Sequence, residues 1–165
     1  MDDITYRQAT PDDVVALLSV MDLALGSEDE TVTKPDELPA RIERWLPRLS
    51  DPSIIFWVAE AEGRVVAWTR GQQPIPCHRT AGGVEYEAEC GRGIGKTLWR
   101  MMWDATLALL QPKNFIVWSV PGAIGFYKSL GGTESEKRSF CDTEPLDVHT
   151  AIVWPDASDS AHKLL

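Results

Sequence analysis

The chain has few cysteines, few histidines, a deficit of positive charge and no long apolar run. Its three cysteines, Cys77, Cys90 and Cys141, form no Cys-x-x-Cys pair. That excludes a disulfide framework and a cysteine-ligated zinc site, and it points to a reducing, cytoplasmic setting. The three histidines, His78, His149 and His162, share no ligand spacing, so they are read as surface or loop residues and no metal is expected. Against 25 Asp and Glu stand 16 Lys and Arg, a formal net charge of −9. Nucleic acid, which is held by clustered cations, is therefore excluded as a partner. A cationic small molecule fits the charge better, because acid is concentrated at Glu28, Asp29 and Glu30 and again at Glu85, Glu87 and Glu89. No apolar stretch approaches the ~18 residues of a membrane span, and Met1-Asp2-Asp3 opens without a basic or apolar run, so neither membrane nor leader is expected.

What is present suits one compact core. The chain has 165 residues, 44% of them hydrophobic and 25% charged, and no repeat divides it. A single domain is expected over residues 1–155, with a polar, frayed tail over 156–165. Alternation predicts a strand from Ile4 to Gln8. Thr10-Pro11-Asp12-Asp13 then reads as a helix start, with threonine as cap, proline in the first turn and acids on the dipole. Val14, Leu17, Leu18, Met21 and Leu25 give the apolar face, and Gly26 ends it. A second helix is predicted from Asp36, carrying Leu38, Ile42, Trp45 and Leu49, and Asp51-Pro52 stops it. Residues 54–60 and 64–71 read as a hairpin turning at Ala61-Glu62-Gly63. Residues 72–83 are expected as loop and Val84 to Glu89 as a half-buried strand.

Cys90-Gly91-Arg92-Gly93-Ile94-Gly95-Lys96-Thr97 follows at once and leads into a helix predicted to bury Leu98, Met101, Met102, Ala105 and Leu109. Alternating glycines at a helix start allow close backbone approach, and the free N–H groups of the first turn face outward with the positive end of the dipole behind them. Such a place suits a phosphate or pyrophosphate. A nucleoside-triphosphate P-loop would need glycine where Cys90 stands and a buried apolar strand where three glutamates stand. A pyrophosphate loop for acyl-CoA has neither requirement, and the downstream pattern agrees with it.

That pattern is the strand of residues 114–120 followed by Ala123-Ile124-Gly125-Phe126-Tyr127-Lys128-Ser129-Leu130-Gly131. In order and spacing the glycine loop, its helix, this strand and the Ala-x-x-Phe-Tyr-x-x-x-Gly element resemble the GNAT superfamily of acyl-CoA-dependent N-acetyltransferases. The resemblance covers nearly the whole chain. It implies an α/β (α+β) fold: a mixed, mostly antiparallel sheet of about seven strands with about four helices, splayed between strands 4 and 5 to admit the cofactor. Residues 133–141 and 148–154 would close the sheet as an antiparallel pair. Two positions depart from the family pattern: Cys90 replaces its Arg or Gln, and Pro121 stands where many members carry Asn.

The resemblance further implies acetyl-CoA as cosubstrate, with Val84, Glu85, Ser119 and Phe126 joining the Cys90–Thr97 loop (Cys90, Gly91, Arg92, Gly93, Ile94, Gly95, Lys96, Thr97) in holding it. Trp118 would lie where the sheet admits the pantetheine arm, and the α1–α2 region would form a wall of the acceptor pocket. The implied reaction is direct attack of a primary amine of a small molecule on the thioester, which needs positioning rather than a covalent intermediate. Tyr127 is the candidate acid for the departing thiolate. Glu85 or Glu87 is the candidate base, and the strand register leaves both open. Cys90 has no neighbouring histidine that would make it a nucleophile. A catalytically degenerate acyl-CoA-binding module is the alternative motivated by Cys90 and Pro121, and an acetyltransferase of protein N-termini or lysines is a further one. A second copy of the chain stands as a candidate partner.

Overall fold

The computed structural model describes residues 4–25, 34–72, 81–87, 93–139 and 148–157. In chain order the elements are β1 (Ile4–Gln8), a 3-10 turn (Pro11–Asp13) running into α1 (Val14–Leu25), α2 (Leu38–Leu49), β2 (Ile54–Ala61), β3 (Arg64–Gln72) and β4 (Ala81–Glu87). Then come α3 (Ile94–Leu110), β5 (Phe115–Ser119), a second 3-10 turn (Pro121–Ala123) running into α4 (Ile124–Ser129), β6 (Thr133–Ser139) and β7 (Val148–Trp154). The strands follow the hydrogen-bonded order β1-β2-β3-β4-β5-β7-β6. This is the mixed α+β architecture expected, with seven strands.

β1 pairs with β2, and β7 with both β5 and β6, in antiparallel fashion. β4 pairs with β5 in parallel, and only at Ala81↔Phe115 and Gly82↔Ile116. These are the β4–β5 register partners among the described residues. β4 starts at Ala81 rather than at the predicted Val84, because cross-strand bonding to β5 recruits a glycine pair that propensity alone assigns to loop.

Two compact units are distinguished. One comprises Met1–Gly71 and Glu85–Met102, the other Gln72–Val84 and Trp103–Leu165, so the boundary falls inside β4 and inside α3.

In the first unit, α1 and α2 cover one face of β2 and β3. Val14, Leu17 and Leu18 pack with Trp45, Phe56, Val58 and Trp68. Trp45 meets Trp68 edge-on at 5.6 Å between centroids and 85°, and the buried Trp68 indole N–H donates to the Leu17 carbonyl at 2.9 Å. A large aromatic is thus placed in the core with its polar atom satisfied. A second cluster joins Ala59, Ala61, Val66 and Ala67 of these strands with Ile94 and Leu98 of α3. Three alanines there let the helix backbone come close, and Ile94 and Leu98, one turn apart, fill the space.

In the second unit the remainder of α3 packs through Trp103, whose ring lies 4.6 Å from that of Phe115 and 5.5 Å from that of Trp154. The buried stripe of α3 is Ile94, Leu98, Trp99, Met102, Trp103 and Thr106, while Leu109 is exposed. The predicted stripe through Met101, Ala105 and Leu109 is therefore turned around the helix axis, since burying two indoles removes far more apolar area from water than burying a leucine. Packing also continues beyond Pro155. Ala157 is fully buried and its N–H donates to the Lys113 carbonyl at 3.1 Å, so order reaches into the tail expected to fray over 156–165.

The start of α1 is the expected one, with Thr10 as cap and Pro11 in the first turn. Thr10 and Asp13 form a capping box, in which the Asp13 carboxylate accepts the Thr10 N–H at 2.7 Å and the Thr10 hydroxyl at 3.0 Å. Asp13 takes this role because it is fixed from the other side by Arg7, whose guanidinium grips it at 2.8 and 2.7 Å and also donates to Glu60. The hydrogen-bonded guanidinium holds the Asp13 carboxyl down at about 2, against the burial that opposes ionisation.

Candidate functional site

The glycine turn ahead of α3 has two properties that bear on ligand binding. Gly93 sits at φ +75°, a left-handed conformation that glycine adopts without strain. A Cβ built on it would meet nothing within 4 Å among the described residues, so the residue is required by backbone shape rather than by crowding. Its carbonyl accepts the first intrahelical bond from the Thr97 N–H at 3.2 Å, and the Thr97 hydroxyl donates to the same oxygen at 3.3 Å. With Gly93 as cap, the amides of Ile94, Gly95 and Lys96 are the first-turn donors that have no carbonyl within the helix. The Ile94 side chain is fully buried and Lys96 is exposed. The turn is thus pinned by an apolar anchor while its N–H groups remain for an anion. Thr97 differs from its neighbours, since both its donors are taken up by Gly93.

Cys90, Gly91 and Arg92 lie outside the described residues, as do Glu89 and the acidic run 28–30. Glu85 and Glu87 are placed two apart in β4, in the part that belongs to the first unit and lies past the β5 pairing, and Val84 is the last β4 residue of the second unit.

Ser119, Phe126 and Tyr127 belong to the second unit. Ser119 ends β5 opposite Thr150, is buried, and donates its hydroxyl to the Val120 carbonyl at 2.9 Å. Pro121, the departure from the family pattern, opens the 3-10 turn that redirects the chain into α4; its fixed φ and missing N–H suit that first position. α4 then carries Phe126 and Tyr127, whose rings meet at 5.1 Å, and the Tyr127 ring stands 83° to that of Trp154 at 6.4 Å. Tyr127 is buried, 5% exposed. The helix closes in a Schellman motif: the Gly131 N–H donates to Lys128 and the Gly132 N–H to Tyr127, at 3.0 and 3.1 Å, with Gly131 at φ +85°. Tyr127 is thereby held through both its ring and its carbonyl.

Among the described residues no group of His, Cys, Asp and Glu could hold a metal ion, and no helix is long and apolar enough to cross a membrane. A feature that sequence reading passed over is the Arg7–Asp13–Glu60 cluster. Its signal was the Thr10-x-x-Asp13 spacing of a capping box, whereas the contribution of Glu60, far along the chain, was visible only once β1 had paired with β2.

No protein-family model matches the sequence, and no curated protein matches it either. Solved structures do match, and they give the chain the fold of the GNAT acetyltransferases. One is yncA of Salmonella typhimurium, solved with its cofactor acetyl-CoA, at 18% identity, TM-score 0.70 and 92% coverage of each chain. Another is the spermidine/spermine N-acetyltransferase SpeG of Vibrio cholerae, at 16% identity and TM-score 0.70 over 97% of each chain. A third is the ribosomal-protein-alanine N-acetyltransferase of Brucella melitensis, at 23% identity and TM-score 0.70, covering 91% of this chain and 98% of that one. At these identities the likeness is one of fold.

Proposed function

We propose that this chain is an acetyl-CoA-dependent N-acetyltransferase of the GNAT family that acetylates a primary amine of a small molecule in the cytoplasm. The observation that carries the reading is the start of α3, where Gly93 leaves three amides unclaimed by the helix, in a fold shared with a protein solved with acetyl-CoA. The amides of Gly93 to Lys96 would hold the pyrophosphate, with Cys90, Gly91 and Arg92 completing the loop, and Ser119 and Phe126 are proposed as further cofactor residues on the family resemblance. The two units, which share β4 and α3, are read as one domain over residues 1–155.

Acetyl-CoA supplies an activated thioester; the chain supplies position and proton transfer. In the proposed reaction a β4 carboxylate, Glu85 or Glu87, takes the proton of the acceptor ammonium. The free amine forms a C–N bond as the C–S bond breaks, Tyr127 gives its proton to the departing sulfur, and the excess proton on the new amide nitrogen passes to the phenolate and restores it. Each transfer needs a group held in place, and the rigid seat of Tyr127 supports its assignment. The acceptor is proposed as a small amine on the net charge of −9 and on the fold likeness to a spermidine/spermine acetyltransferase.

The likeness to a ribosomal-protein-alanine acetyltransferase favours a second reading, in which the acceptor is a protein amino terminus. Release of free thiol from acetyl-CoA distinguishes the two: small amines, polyamines among them, should support turnover, and peptides beginning with alanine should not. Thiol release with the peptides alone would establish the second reading. Glu85→Gln and Glu87→Gln should separate, one losing rate and the other behaving as the parent, which would identify the base.

A further inference from the structure

We infer that the first unit carries a second ligand site, outside the transfer site, for a small organic cation with a short apolar body. Between α1 and the β1–β3 end of the sheet lies a cavity of about 600 Å³, within the range of small-molecule pockets. None of its lining residues is among those proposed to hold acetyl-CoA or to move a proton. Its apolar wall comes from Ala16, Val20 and Leu23 on α1 and from Val65 and Val66 on β3. The α1 residues recur at helical spacing on one face, and the small Ala16 and Ser19 on that face leave the space unfilled. Leu23 remains 71% exposed, a large apolar side chain at the mouth with no protein cover.

The polar wall decides the class of ligand. It holds Arg7, Asp12, Asp13, Glu60 and Arg64. Arg7 commits four of its five N–H groups, donating to Glu60, to both Asp13 oxygens and to the Gln8 carbonyl. An anion at its remaining Nη2 N–H would lie beside these carboxylates and be repelled by them. Arg64 is 74% exposed at the outer edge. What remains is acceptor capacity: Glu60 Oε1 makes no hydrogen bond, and Asp12, exposed at the rim, carries no ion pair among the described residues. A protonated amine placed there answers two carboxylates at once, with its carbon chain against Ala16, Val65 and Leu23.

The test uses the full chain without acetyl-CoA and titrates N,N-dimethylhexylammonium, which keeps one N–H donor and, as a tertiary amine, forms no stable amide. Binding is followed by calorimetry and by amide shifts of α1 and the β2–β3 hairpin. Saturable binding is expected, weakened about tenfold by Asp12→Asn and abolished by Ala16→Leu, whose melting temperature should stay near the parent's. Hexanoate should not bind, and Gly93→Val should bind the ammonium as the parent does. Lack of binding to the parent, equal binding of hexanoate, undiminished binding in Ala16→Leu, or loss in Gly93→Val would each overturn the assignment. The last outcome would move the amine to the transfer site.

Discussion

Two helix ends with left-handed glycines treat their orphan backbone groups in opposite ways. At the end of α4, Gly131 and Gly132 return their N–H groups to Lys128 and Tyr127, and a Cβ on Gly132 would come within 2.4 Å of Ile152 Cγ2 and 2.7 Å of the Trp154 ring. At the start of α3, a Cβ on Gly93 would meet nothing within 4 Å among the described residues, and the next three amides stay unclaimed by the helix. The same residue type therefore serves packing in one place and access in the other. A closed end fixes a side chain, here Tyr127; an open end offers donors to a ligand.

The contrast can be broken most forcefully at the closed end. If the seat of α4 exists to hold a proton donor, Tyr127→Phe should keep acetyl-CoA binding and lose turnover by ~10²–10⁴-fold. Steady-state rates at saturating acetyl-CoA check this, and a rate equal to the parent's would remove the phenol from the chemistry. At the open end, acetyl-CoA at ~100 times its dissociation constant should stabilise the parent by about 2.7 kcal/mol. Gly93→Val should lose that gain, because a branched residue resists φ +75°; an undiminished ligand-induced rise in Tm would count against the turn as the cofactor site.

Without ligand the closed end again gives the larger loss. Gly132→Ala should cost about 1–3 kcal/mol by forcing the buried Ile152 and Trp154 aside. Gly93→Ala should cost about 1–2 kcal/mol, from backbone strain alone. Urea denaturation of the two variants measures the difference, and equal losses would erase the distinction between packing and access.

The smallest effect concerns acid. Asp13 has its carboxyl depressed from 3.8 to about 2, so its contribution is fully present above the unfolded value and is lost as pH falls through the folded one. Between about pH 5 and pH 2 the parent should lose on the order of 1–2 kcal/mol from this group, discounted because Arg7 is 41% exposed. Asp13→Asn, melted in parallel at both pH values, should converge on the parent at the acid end.

Much of this was legible in the chain. The hairpin at 61–63, the α1 core face and the start of α3 at Gly93–Ile94 are set by local chemistry: turn residues, helical spacing and a glycine that tolerates positive φ. Where local signals were weak or matched on several faces, they misled. The stripe of α3 was drawn through Leu109, because counting apolar residues does not say which of two adjacent stripes faces a sheet. The loop before Val84 proved to contain the first residues of β4, since Ala81 and Gly82 gain order only from Phe115 and Ile116 across the strand.

The sequence by itself therefore determined the order of elements, the glycine turn and the identity of the tyrosine helix, because each depends on residues close together in the chain. Only the tertiary structure decided that Asp13 caps Thr10 while held by Arg7 and that Glu60 joins them. It alone decided that Tyr127 rests on Trp154 and that α1 leaves a cavity over β1–β3. Each of these depends on which side chains are brought together from distant positions, and that is fixed by how strands pair and helices settle on them rather than by any local pattern.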